Sequence, residues 1–128
     1  CKKYGRLYSW KAALYACPVG WHLPGNIDFK TLYESVGGKQ VAGKKLKNKE
    51  GWNNNGNGTD AFGFSALPAG YRYSNGYYDD EGDDALFWSS TESTSGYAYD
   101  MYLYYYSDGA SLYYDDKYYG FSVRCVKD

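Results

Sequence analysis

Tyrosine dominates the positions able to make contacts and hydrogen bonds. Fourteen of the 18 tyrosines fall between residues 71 and 119, among them the run Tyr104-Tyr105-Tyr106 and the doublets Tyr113-Tyr114 and Tyr118-Tyr119. A phenol ring offers a large amphipathic contact surface with only two side-chain torsions to freeze, and interleaved Ser and Gly adapt locally. Strand propensity is the competing reading of so much Tyr. It accounts for Tyr97 and Tyr99 but not for the runs, because a doublet must put one ring on each face of a strand or both in a loop. The candidate ligand contacts are therefore Tyr77, Tyr78, Tyr102, Tyr104, Tyr106, Tyr113, Tyr114, Tyr118 and Tyr119. Asp108, Asp115 and Asp116 join them as hydrogen-bonding partners.

Other reactive types are sparse. The acidic stretch Asp79-Asp80-Glu81-Gly82-Asp83-Asp84 has the oxygen chemistry that Ca²⁺ prefers, but a solvated loop is the better reading. The Asn53–Asp60 loop reads in the same way, as chain reversal rather than an ion site. His22 has no acidic, His or Cys partner at a recognisable spacing and is expected to be a packed or hydrogen-bonded structural residue. Trp21 and Trp88 are expected in the core, and Arg124 is expected to pair with a carboxylate, Glu92 being one choice. The Lys39–Lys49 cluster reads as a solvated face. With one His and three Cys the chain has few ways to build a catalytic or transition-metal centre.

The 128 residues fit one domain. Lys+Arg is 14 and Asp+Glu is 15, a net charge of −1, which supplies no field for gathering nucleic acid or an anionic membrane. No apolar run approaches the roughly 18 residues of a membrane span, and the opening Cys1-Lys2-Lys3-Tyr4 does not read as a signal peptide.

Two helices precede a run of strands. Ser9 is placed to cap a helix over 10–16 whose buried face carries Trp10, Ala13 and Leu14. Asn26 is placed to cap a second over Ile27–Val36, with Ile27, Leu32 and Val36, helped by Phe29 and Tyr33, as its apolar stripe. Gly37-Gly38 ends it, and 41–46 is a short further turn. Extended chain follows over 62–73 and 87–90. Over 97–106 the odd positions, which include Met101 and Leu103, should face the core, leaving Tyr102, Tyr104 and Tyr106 exposed. Over 121–125, Phe121, Val123 and Cys125 should point inward. This order is an α+β arrangement.

Cys17 ends the first helix and Cys125 lies in the last strand. A bridge between them would close a loop of about 109 residues, worth about 4–5 kcal/mol in the chain-entropy model. Two buried free thiols are the other reading. Cys1 is then the odd cysteine, free or paired upstream.

Several segments in fixed order resemble a known family. They are Tyr4-Gly5-Arg6-Leu7-Tyr8, Ala16-Cys17-Pro18-Val19-Gly20-Trp21-His22-Leu23-Pro24, Ala42-Gly43-Lys44-Lys45-Leu46-Lys47, the stretch Gly58 to Arg72, Phe87-Trp88-Ser89-Ser90-Thr91-Glu92 and Gly120-Phe121-Ser122-Val123-Arg124-Cys125. Together they are similar to the Fibrobacter succinogenes major paralogous domain, found mostly in secreted proteins of Bacteroidetes and relatives. The resemblance implies a C-type-lectin-like fold of the kind related to formylglycine-generating enzymes, whose helix-to-last-strand bridge maps onto Cys17 and Cys125. It implies no general activity. The related enzymes hold copper with cysteines; here no second cysteine pair remains, so no catalytic residue, resident cofactor or metal ligand is assigned. A looser resemblance is to targets of diversity-generating retroelements, which rewrite Asn codons by mutation at adenines. Tyr, Ser, Asp and Gly fill 20 of the 27 positions over 93–119, and Asn fills none.

The expectation is a single domain over 1–128, with scaffold at 1–76 and 120–128 and a candidate variable segment at 77–119. It is expected to be secreted or on the cell surface, to recognise a protein, cell-surface or glycan ligand, and not to act as an enzyme. A structural cell-envelope module is the alternative, followed by an enzyme derived from the formylglycine-generating fold.

Overall fold

The computed structural model describes residues 2–128; the expectation for Cys1 lies outside the described residues. Helix α1 (Trp10–Ala13) starts where the sequence places its cap, with the Ala12 amide donating to the Ser9 hydroxyl at 3.4 Å. It ends after one turn instead of reaching Ala16. Ala13 is its buried residue, while Leu14 is exposed, so a longer helix would have no apolar stripe to dock. Strand β1 (Trp21–His22) follows and pairs antiparallel with β7 (Val126–Lys127) near the end of the chain. This pairing leaves Trp21 exposed, against the expectation of a core position.

Helix α2 (Asn26–Ser35) is capped one residue earlier than expected, at Gly25, whose N–H donates to the Asp28 carboxylate at 2.9 Å. Asn26 ties the helix to the sheet instead. Its side-chain oxygen accepts from Ser89 Oγ at 2.8 Å, and its N–H donates to Thr91 Oγ1 at 3.0 Å. The buried stripe is Phe29, Tyr33 and Val36 with Leu32 at its margin. Ile27, expected within it, is exposed; two residues from Phe29, it points about 200° away around the helix. Gly37 and Gly38 then take φ of 112° and 109°, a left-handed reversal that residues with a Cβ rarely adopt. Helix α3 (Lys39–Leu46) is two turns long rather than one.

The polar linker after α3 and the stretch expected to be extended over 62–73 run mostly as loop. That stretch makes isolated bridges at Ala66 and Gly70 before β2 (Tyr71–Arg72), which pairs with β3 (Tyr78–Asp79). The main sheet is antiparallel, in the order β4 (Asp84–Glu92), β5 (Tyr97–Tyr104), β6 (Ser111–Asp116). Its register places Met101 between Phe87 and Leu112, and Tyr102 between Leu86 and Ser111. One face, with Ala85, Phe87, Met101 and Leu103, packs on Phe29, Tyr33, Val36 and Leu46 of the helices. The other, with Leu86, Trp88 and Ala98, packs on Ala13, Leu23 and Phe121.

The sheet is thus a middle layer, and β5 is covered on both sides. This corrects the reading of its even positions as an exposed row: Ala98 and Asp100 are fully buried and Tyr102 and Tyr104 are half-buried, leaving Tyr106 exposed. The 121–125 segment makes single bridges, Phe121 to Tyr8 and Ser122 to Phe87, rather than a strand. Phe121 is buried, as expected, while Val123 and Cys125 are half-buried. The Cys17–Cys125 disulfide is formed, with Cα atoms 5.7 Å apart and the cysteines separated by 108 in sequence. The architecture is α+β, and its two ends are joined covalently and through the β1–β7 pair.

Candidate functional site

Tyrosines from four separate segments meet on the face of the sheet away from α2 and α3. β2 and the residue beyond it supply Tyr71 and Tyr73, β5 supplies Tyr102, β6 supplies Tyr113, and the segment after β6 supplies Tyr119. Buried Leu86 and Phe121 also line the cleft they frame, which has a volume of about 260 Å³, and Asp115 adds a carboxyl. The rings brace one another: Tyr71 stacks with Tyr119 at 6.2 Å, and Tyr73 meets Tyr71 and Tyr119 edge-on at 5.0 and 5.5 Å. Such arrangements place positive ring edges on negative faces.

Carboxyl groups set the electrostatics. Tyr102 donates to Asp84 at 2.5 Å and Tyr73 donates to Asp79 at 3.3 Å, while the Tyr71 and Tyr73 hydroxyls share a hydrogen bond of 2.9 Å. Burial pushes Asp84 up to about 6 despite the Tyr102 donor, with the Asp80 and Asp83 charges adding to the rise. Asp100, on the same face of β5 as Tyr102, is fully buried, and neither carboxyl oxygen has a hydrogen-bond partner among the described residues. Burial first, and the adjacent Asp115 carboxyl second, push it up to about 10, so it is neutral at pH 7. Burial raises Asp115 as well.

A row of rings leads away from the cleft. Tyr102 and Tyr104 have centroids 3.7 Å apart, and Tyr104 stacks on Tyr106 at 5.1 Å. The turn that ends this row is held from below by Lys47, whose Nζ donates to the Tyr104 carbonyl at 2.6 Å and the Ser107 carbonyl at 2.8 Å. The same ammonium lies 5.0 Å from the Trp52 ring. Lys47 is only 2% exposed, and its burial lowers its pKa. It corrects the reading of the Lys39–Lys49 cluster as wholly solvated.

The twelve sequence-selected residues do not form one patch. Tyr102, Tyr113, Asp115 and Tyr119 line the cleft, and Tyr104 and Tyr106 extend it. Strand alternation sends Tyr114 and Asp116 to the other face, where Tyr114 meets Tyr97 and Tyr99 at 6.1 and 6.0 Å. Asp116 Oδ1 accepts from the Tyr118 amide, and Tyr118 is exposed. Asp108 lies exposed on the turn against α3, its carbonyl accepting from the Lys44 amide at 2.8 Å. Tyr77 and Tyr78 are exposed around β3, and Tyr78 lines a different cleft with Lys3 and Arg6. Tyr71, Tyr73, Asp84 and Asp100 were missed. The period-two spacing of Tyr71 and Tyr73, and a lone Asp between Tyr99 and Met101, are the signals for three of them; nothing in the spacing separates Asp84 from its acidic neighbours.

Outside the cleft, His22 does have acidic partners: it contacts Asp128 at 2.8 Å and Asp28 at 3.4 Å, and the Asp128 hydrogen bond raises its pKa. Arg124 donates to the Phe64 carbonyl at 2.6 Å and lies 4.3 Å from the Phe64 ring, whereas Glu92 pairs with Lys117 at 2.9 Å. The Asn53–Asp60 loop reverses the chain through Asn54 and Asn55, and Asn53 donates to Asp83. Among the described residues, no cluster of three or more His, Cys, Asp or Glu is placed to hold a metal ion. No described helix is long and apolar enough to cross a membrane.

A family model described as the Fibrobacter succinogenes major domain matches residues 1–127. The chain belongs to that family. The match to the Fibrobacter succinogenes major domain therefore spans the scaffold and the tyrosine cleft alike. No curated protein and no solved structure matches the chain.

Proposed function

We propose that this domain is a non-catalytic ligand-binding module of secreted or cell-surface proteins. The cleft framed by Tyr71, Tyr73, Tyr102, Tyr113 and Tyr119, with Tyr104 and Tyr106 as its extension, is the recognition surface. The observation that carries this reading is the convergence of five phenol rings from four segments on one cleft, above a sheet whose both faces are packed. A rigid frame presenting rigid aromatic side chains loses little entropy on binding. The Cys17–Cys125 bridge fits an oxidising compartment, and a C-type-lectin-like frame fits the joined ends. The ligand is a protein, cell-surface or glycan structure. The 77–119 segment, exchanged residue by residue on a constant scaffold, would retune it; Tyr71 and Tyr73 lie outside that segment and stay constant.

The test is binding to arrays of glycans and intact bacterial surfaces by the wild type, by a Tyr73→Ser/Tyr119→Ser double variant, and by Tyr15→Ser, which alters an exposed ring on α1's C-terminal side. Binding lost in the double variant and retained in Tyr15→Ser supports the reading. Binding that survives the double variant refutes it.

A further inference from the structure

The tyrosine cleft stands apart from the other cavities in the chemistry of its lining. The cleft beside the N-terminal arm carries Lys3, Arg6 and Arg72 next to Asp79 and Glu81, and the groove below α2 has Arg124 at its rim. Among the described residues no basic side chain lines the tyrosine cleft; its polar groups there are five phenol hydroxyls and the Asp115 carboxyl. Two of those hydroxyls already donate to carboxyl groups, Tyr102 to Asp84 and Tyr73 to Asp79. A phenol that donates to a carboxylate keeps an electron-rich ring, and the negative face of such a ring attracts cations. Asp100, fully buried behind Asp115, is neutral at pH 7 and adds no charge, so Asp115 is the carboxyl a ligand meets in the cleft. The negative potential of the cleft comes from the phenol ring faces and the Asp115 carboxyl, and among the described residues nothing in its lining offsets it.

We infer that this cleft binds an organic cation, a substituted ammonium or a guanidinium group, held against the tyrosine faces and paired with Asp115. The inference rests on reading the cleft as the recognition surface and names the chemistry of its ligand. The volume, about 260 Å³, suits the head of such a group. A neutral sugar fits less well, because it needs free donors and acceptors around its edge, and the Tyr71, Tyr73 and Tyr102 hydroxyls are already engaged with one another or with carboxyls. The cation has two possible sources: a Lys or Arg side chain on a protein, or a quaternary ammonium head group.

Titration of the intact domain followed by calorimetry and by tyrosine ring resonances tests this. The probes are choline, N-acetyl-arginine methylamide, N-acetyl-lysine methylamide, the neutral choline isostere 3,3-dimethylbutanol, and methyl glucoside. At least one cation should bind about tenfold or more tighter than the neutral isostere. A preference for choline assigns the head group, and a preference for the amino-acid amides assigns a protein side chain. Asp115→Asn should weaken the cation about tenfold and leave the isostere unchanged. Tyr119→Leu should lose the cation while Tyr119→Phe, which keeps a π face, retains it, with thermal melts confirming that each variant is folded. Equal binding of choline and its isostere, or cation binding indifferent to Asp115→Asn, overturns the inference. Methyl glucoside binding alone, lost in Tyr119→Leu, overturns the cation and leaves the recognition surface standing. Array binding that survives Tyr73→Ser/Tyr119→Ser removes the surface itself.

Discussion

Replacing Asp100 by Asn removes a carboxyl from the middle of β5 while keeping the side chain's size. In the wild type that carboxyl is fully buried without a hydrogen-bond partner among the described residues, and its pKa rises from 3.8 to about 10. Unfolded, it ionises near the lower value, so between the two the folded state holds a proton that the unfolded state has released. Stability is therefore complete below about pH 4 and falls as pH rises toward 10. Each pH unit in that window costs about 1.4 kcal/mol, so roughly 4 kcal/mol has been lost by pH 7. That is a large share of the roughly 5–15 kcal/mol that holds a domain together. Asn does not titrate. Asp100→Asn should match the wild type within about 1 kcal/mol at pH 4 and exceed it by up to about 4 kcal/mol at pH 7. Denaturant titrations at half-unit pH steps, read by tryptophan fluorescence, measure the difference. Trp88, fully buried and directly across the ladder from Asp100, reports on this part of the sheet. Asp84 gives wild type and variant a pH dependence of the same sign and cancels in the difference, which then reports Asp100 together with its neighbour Asp115. A variant less stable than the wild type at pH 7, or a difference that does not change with pH, refutes the reasoning.

Three further outcomes follow from the geometry. Converting Cys17 and Cys125 to Ser should cost about 4 kcal/mol, the chain-entropy value for a loop of this length, and reducing agent should lower the wild-type melting temperature without affecting the variant. Lys47→Met removes the ammonium that the Tyr104 and Ser107 carbonyls share, leaving Tyr104 only the Ser107 amide at 3.5 Å, so the urea midpoint should fall by the equivalent of about 2–4 kcal/mol. Tyr102→Phe removes the hydrogen bond that holds Asp84 down; carboxyl ¹³C shifts should then show Asp84 titrating above about 6, and an unchanged midpoint would contradict the pairing.

What could be read from the residues was mostly local. Ser9 caps α1 because a hydroxyl satisfies free amides of a first turn wherever the helix goes next. The alternation over 97–106 located β5 to within a few residues, and Met101 and Leu103 face the core as expected. It did not reveal what covers the opposite face. Period two separates two sets of side chains but says nothing about a second layer, so Tyr102 and Tyr104 read as exposed, whereas Tyr102 packs with Leu86 and Phe121 and Tyr104 is half-buried against Tyr102 and Tyr106. Ile27 and Leu14 misled for a related reason: short helices bury a narrower stripe than their apolar content suggests. Lys47 was hidden among neighbouring lysines, since its burial depends on carbonyls 57 and 60 positions away. The cleft likewise depends on β2 and the segment after β6 arriving at one place, which no spacing within either segment encodes.

Where a ligand lands on the domain decides its function. With the tyrosine rings ¹³C-labelled and phenylalanine labelled alongside, the ligand selected on the arrays can be added to the folded domain and the perturbed resonances mapped. Shifts concentrated on Tyr73, Tyr113 and Tyr119 are the expected result. Shifts confined to Phe62 and Phe64, in the groove below α2 on the opposite side of the sheet, would contradict it.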